Sequence, residues 1–267
     1  MSSTASRRGF LHRLSRIDDG AIMRTAFFAL LAGTASVLYI DYRELMATTP
    51  PEALPEAQPI LPPASQDGGN TGPRPEITTA PELLEEPLSI TLGGQGELRL
   101  TGTMDQGSAA RFAEEIAARG EYVETVVLDS PGGSVSDALE MGTLIHEKGY
   151  ATRVPAGALC ASACPIVFAS GAERIASPQS AIGVHQVYAA AITGNPQAML
   201  EAAGIAMSEA QRTTARITRH LTMTGVDPEM WLLALETPPD RLHYFTEKEM
   251  TGFNLVTSLE EESNSSR

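Results

Sequence analysis

The chain has 267 residues, enough for one core of moderate size with appendages, and a formal net charge of −14. That balance excludes a basic nucleic-acid-binding face, so no nucleic-acid partner is expected. The two cysteines sit four positions apart with no zinc-ligand spacing around them, and neither a metal nor an organic cofactor is implied.

The charge is uneven. Residues 1–24 hold five arginines against Asp18 and Asp19, a sum of +3, so the remainder carries −17. Residues 1–20 read as a basic cytoplasmic N-terminus. Residues 25–40, TAFFALLAGTASVLYI, are apolar and uncharged. Extended back to Ala21, with Arg24 snorkelling, they approach the ~20 residues that a spanning helix needs. Arginines before the run and acidic residues after it place the N-terminus inside and the body outside the cytoplasm. Residues 21–40 therefore read as a transmembrane anchor, with a cleaved signal peptide as the alternative. Gly33-Thr34-Ala35 is a small-x-small site, but apolar residues continue past it to Ile40. Ser6-Arg7-Arg8-Gly9-Phe10-Leu11 has the look of a twin-arginine signal, yet Asp18 and Asp19 separate it from the apolar run.

Residues 41–87 read as a disordered linker. Ten of the eighteen prolines fall within residues 47–87, and large apolar side chains are few. Such a segment cannot bury enough surface to offset its ordering entropy. A semi-extended spacer between membrane and body is expected.

The body, residues 88–257, alternates strands and helices, which predicts an α/β fold with a parallel sheet. Strands are expected at residues 96–102, 125–128, 151–154, 173–176 and 181–185. Helices are expected at residues 106–119, closed by Gly120, and at 134–148, capped by Ser134. Further helices are expected at 162–170, ended by Gly171, at 196–222 and at 228–235. Residues 244–246 read as a strand, 247–251 as one helical turn, 253–256 as a last strand, and the tail 258–267 as polar and frayed.

Residues 126–187 carry the chemistry. In Ser130-Pro131-Gly132-Gly133-Ser134 a buried strand feeds a glycine turn at a helix start, which suits an oxyanion. Taken alone it is also an ordinary tight turn. Ser162, within Cys160-Ala161-Ser162-Ala163-Cys164, reads as a nucleophile among small neighbours, or as a helix cap. His185 ends a strand, where a general base would sit, though a lone histidine there is more often structural. Asp240 follows Pro238-Pro239 as a candidate orienting acid or a turn residue, with Asp129 its rival. His146, His220 and His243 lie in helical or solvent-facing contexts.

Order and spacing together carry more than any one motif. SPGGSV, then a small-residue serine segment, then a strand ending in His-Gln, resemble the Clp protease proteolytic subunit and the wider Clp/crotonase superfamily. The variant concerned is an exported or membrane-anchored one with a CASAC segment. The resemblance covers residues 96–256. It implies a repeated β-β-α spiral core and a triad of Ser162, His185 and Asp240. The acid is assigned by the downstream register of Glu247 and Gly252. The resemblance further implies oxyanion donors at the Gly133 and Ala163 N–H groups. It also implies a homo-oligomer acting on peptide or protein substrates, while the region between His185 and Asp240 diverges. The Gly-Gly turn, through Gly132 and Ser134, is expected to align an extended substrate as an added strand.

The expected protein is thus a membrane-anchored extracytoplasmic serine peptidase. Cys160 and Cys164 read either as a disulfide that stiffens the nucleophile turn in an oxidising compartment or as two small buried thiols. Two other functions compete with the peptidase. One is a catalytically silent binding or assembly module that keeps the fold. The other is an acyl-CoA enzyme, against which the acidic body and only two lysines argue.

Overall fold

The structure is a computed structural model that describes residues 19–47, 75–187 and 196–260. They divide into two units, an N-terminal helix and a body. The helix, α1 (Asp19–Ala47), contains a stretch from Gly20 to Arg43 that is long and apolar enough to cross a membrane by length and composition. None of that stretch is buried by protein. Its Thr25, Thr34 and Ser36 hydroxyls donate to backbone carbonyls four residues back, so these three need no outside partner.

The body begins earlier than its proline content predicts. α2 (Pro81–Glu85) leads into β1 (Ser89–Leu92) and β2 (Glu97–Thr101). Leu84 is buried in a cluster with Leu159, Ala161, Ala181 and Leu242. The Thr78 N–H donates to the Gly157 carbonyl and the Thr79 hydroxyl to Asp129. A leucine and two threonines thus fix residues 77–84 to the body, although the expected spacer runs to 87. The rest of that spacer, residues 48–74, lies outside the described residues.

α3 (Ser108–Arg119), β3 (Thr125–Asp129), α4 (Val135–Lys148) and β4 (Ala151–Val154) follow close to the periodicity read from the sequence. Next come β5 (Leu159–Ala161), α5 (Cys164–Phe168), β6 (Arg174–Ala176) and β7 (Ala181–Val184). The chain closes with α6 (Pro196–Met223), α7 (Met230–Glu236), β8 (His243–Tyr244), α8 (Glu247–Gly252) and β9 (Ser258–Leu259). The last strand therefore falls after the expected 253–256. β9 lies within the stretch read as a frayed tail, held because Ser258 and Leu259 pair with β6. The rest of that tail, residues 261–267, is outside the described residues.

Six strands form one sheet in the order β1-β2-β3-β4-β6-β9, parallel except for β1. Val126, Val127 and Leu128 of β3 are all buried, as a central parallel strand requires. β5 leaves this sheet and joins β7 and β8 in a second one, order β5-β7-β8. A single bridge, Ser130 to Cys160, ties the end of β3 to β5. The fold is mixed α/β, and the two sheets meet where β3 ends.

α6 docks through Ile217, His220 and Leu221, all buried. His220 Nε2 lies 2.7 Å from the Ser170 hydroxyl, which itself bonds the Ile166 carbonyl. Burial, aided by the neighbouring His146, lowers the His220 pKa to about 4. The folded value lies below the ordinary 6.5, so the unfolded chain binds the extra proton between the two. This stability is therefore complete above 6.5 and is lost as pH falls toward 4. Urea unfolding followed through Trp231, the one tryptophan, should show a midpoint that declines over this window. His220→Gln should flatten the decline by up to about one proton, and identical slopes in the two proteins would contradict the assignment.

Candidate active site

The site is built where β3 hands the chain to a glycine turn. Ser130 donates its N–H to the Leu159 carbonyl and accepts from the Ala161 N–H, at 2.6 and 3.0 Å. Asp129 accepts from the Leu159 N–H at 2.9 Å and from Thr79 at 2.6 Å. The rival acid is therefore committed to holding β5 in register. The turn itself is fixed by Met104, whose N–H donates to the Gly132 carbonyl and whose carbonyl accepts from the Ser134 N–H.

Those bonds consume one edge of the turn. Gly132 and Ser134, the expected substrate-aligning pair, face Met104, and the Ser134 hydroxyl caps α4 at Asp137. Asp137 in turn accepts from the Gly107 and Ala109 N–H groups, so the two helix starts are tied together. Gly133 lies between those two bonds as the bridge partner of Met104 and exchanges no bond with it. Among the described residues neither its N–H nor that of Ala163 donates a hydrogen bond. These are the two groups expected to hold an oxyanion.

Ser162 sits directly across the turn, between β5 and α5. Its φ is +66°, a left-handed conformation that a serine adopts at a cost of about 1–3 kcal/mol. Its N–H donates to the Gly183 carbonyl of β7 at 2.8 Å. The residue is 2% exposed, and its hydroxyl is buried with no hydrogen-bond partner among the described residues. Cys160 and Cys164 form a disulfide that brackets it, with Cα atoms 5.1 Å apart. An orphaned hydroxyl on a strained strand-to-helix turn is the arrangement of a nucleophile elbow.

β7 pairs in parallel with β5, Ala161 opposite Gly183, and His185 immediately follows β7. The pairing brings Ser162 and His185 to the ends of adjacent strands. The ring is 3% exposed, and burial pushes its pKa below the usual value while a hydrogen bond to Pro239 works the other way. A neutral imidazole at neutral pH is the form a general base needs. The bond runs from Nδ1 to the Pro239 carbonyl at 3.0 Å. A carbonyl only accepts, so Nδ1 carries the proton and Nε2 is left as the base.

Asp240 stands elsewhere from its expected place at that nitrogen. Its side chain is 69% exposed, with the Arg241 Nε 3.8 Å away. The Pro238-Pro239 pair fixes the backbone so that a carbonyl, rather than the carboxylate one residue on, meets the ring. Reading residues by type cannot find a backbone acceptor; only the rigid proline pair hinted at one. Of the remaining histidines, His220 is a core residue and His243 faces Glu249 at 3.2 Å.

Gly132 makes this geometry possible. With φ +93°, a Cβ there would lie 2.6 Å from the Ala161 carbonyl and 2.7 Å from both the Ala163 nitrogen and the Ser162 Cβ. Gly132→Ala should therefore cost about 2 kcal/mol or more of stability by urea unfolding. It should also open the Ser162 turn, so that a serine-directed probe no longer distinguishes this residue. A variant as stable as the parent would show that the turn is looser than described.

No family model matches the chain, and no curated protein sequence does. Solved structures do match it. One is a point mutant of ClpP1 from Listeria monocytogenes, 18% identical over 63% of this chain and 93% of that one, with a TM-score of 0.47. At that level the likeness assigns no residue of this chain a role.

Proposed function

We propose that the protein is a serine hydrolase of the Clp-protease-like kind that cleaves peptide bonds. The observation that carries this reading is Ser162: left-handed, buried, its hydroxyl unpartnered among the described residues, beside a glycine turn whose Gly133 N–H donates no bond there, and one strand from His185. Acyl transfer needs a serine hydroxyl that is not spent on a structural bond, and the surrounding bonds hold Ser162 in that state.

In this reading His185 Nε2 takes the Ser162 proton as Oγ attacks the peptide carbonyl carbon. The oxyanion settles on the Gly133 and Ala163 N–H groups. The C–N bond then breaks as Nε2 returns the proton to the leaving amine. Water repeats the sequence and releases the acid. Loss of one oxyanion donor would cost about 3 kcal/mol in barrier. The acid expected at Asp240 does not enter, since His185 Nδ1 already has its acceptor.

The setting follows the sequence. The apolar run in α1, with its arginine-rich flank before it, supports a membrane anchor with the N-terminus cytoplasmic and the body outside. A disulfide at the nucleophile suits that oxidising side. The spiral core and homo-oligomer that the resemblance implies belong to the same proposal.

Incubating the full-length chain in detergent with a fluorophosphonate probe and mapping the adduct by mass spectrometry tests it. The adduct is expected on Ser162, absent from Ser162→Ala, and formed at least about 100-fold more slowly in His185→Ala. A folded chain that never reacts would favour the silent binding module instead.

A further inference from the structure

The acceptor at His185 Nδ1 is held by more than its own bond. Gln186 donates its N–H to the Thr237 carbonyl at 3.0 Å and its side-chain amide to the Leu235 carbonyl at 2.6 Å. Thr237 is tied back to the end of α7 by its N–H on the Ala234 carbonyl and its hydroxyl on the Leu233 carbonyl. α7 is anchored in the core through Met230, Trp231 and Ala234. Beyond the prolines, the Arg241 N–H closes a turn onto the Pro238 carbonyl, and β8 pairs His243 with Val184 and Tyr244 with Gly183. Residues 235–244 are therefore clamped on both sides to the strand that carries His185.

Within that clamp the ring fixes φ of Pro239, one of the two dihedrals that aim its carbonyl, and the bonds on either side restrict the other. His185 Nδ1 has the Pro239 carbonyl as its acceptor, while the Asp240 side chain is mostly exposed with the Arg241 Nε 3.8 Å away. We propose that the Pro239 carbonyl oxygen is the positioning group for His185, holding the imidazole in the tautomer with Nε2 free, and that Asp240 does not orient it. The site is then a serine–histidine pair completed by a neutral backbone dipole in place of a carboxylate.

The chemistry differs from that of a charged triad. A carbonyl dipole fixes ring and tautomer as a carboxylate does, but offers the developing imidazolium no full negative charge. Burial of the ring outweighs the opposing bond to the Pro239 carbonyl, in keeping with its lowered pKa. The inference deepens the hydrolase reading and rests on it for its kinetic arm alone.

The test uses the full-length chain in detergent, labelled with 15N-histidine. The His185 signals, among five histidines, are assigned by their loss in His185→Gln. Long-range 15N spectra should show His185 as the Nδ1-protonated neutral tautomer in the parent and unchanged in Asp240→Asn. Asp240→Asn should also react with the fluorophosphonate probe within about threefold of the parent, whereas loss of a triad acid typically costs about 10⁴-fold. Pro239→Gly, which frees φ, should mix the tautomers and slow the reaction about tenfold or more. An Nε2-protonated ring in the parent would overturn the inference. So would a tautomer change or a loss of several orders of magnitude in Asp240→Asn, or a Pro239→Gly chain indistinguishable from the parent. If the parent itself does not react, the hydrolase reading fails and the tautomer spectra still decide this one.

Discussion

Gly132 lies so close to residues 161–163 that a side chain would overlap the Ser162 Cβ and the Ala163 nitrogen. Everything at the site depends on that approach. It sets Gly132, the residue before Gly133, against the Ser162 Cβ and the Ala163 nitrogen. The approach is held from three directions. Met104 fixes the turn, Ser130 and Asp129 fix β5, and the Gly183 carbonyl holds the Ser162 N–H. None of these bonds alone would keep a serine at φ +66°. Together they over-determine it, which is how local backbone strain persists. The disulfide between Cys160 and Cys164 closes the short loop that holds Ser162.

The polar groups at the site divide by whether they are spent. Asp129, Asp137, Ser130 and Ser134 are all satisfied, and each ties one element to another. Among the described residues the Ser162 hydroxyl has no partner, and the Gly133 and Ala163 N–H groups donate no bond. Other buried atoms among the described residues, including Ser108 Oγ and Trp231 Nε1, also lack a partner. In an acyl-transfer reading the two N–H groups beside Ser162 are left for the oxygen of a tetrahedral intermediate.

Much of this was legible in the sequence because it is local. The apolar β3 run ending in Pro-Gly-Gly, the helix cap at Ser134 and the His185 strand end are written within a few residues of one another. So is the cysteine pair about Ser162. Other features were not legible, for physical reasons. β5 and β9 have three and two residues, too short for any periodicity, and exist only because partners lie alongside. The proline-rich segment looked like spacer throughout because Thr78, Thr79 and Leu84 find partners far along the chain. The acceptor at His185 is a main-chain oxygen, which no residue type announces. A search by side-chain chemistry was bound to stop at the nearest carboxylate, Asp240, one residue past the group that meets the ring.

The most direct measurement is a crystal structure of the chain after reaction with the fluorophosphonate probe. The account predicts phosphorus on the Ser162 Oγ and Ser162 still left-handed. It predicts the phosphoryl oxygen about 3 Å from both the Gly133 and Ala163 nitrogens. An adduct on another residue, or a phosphoryl oxygen turned away from those two N–H groups, would contradict it.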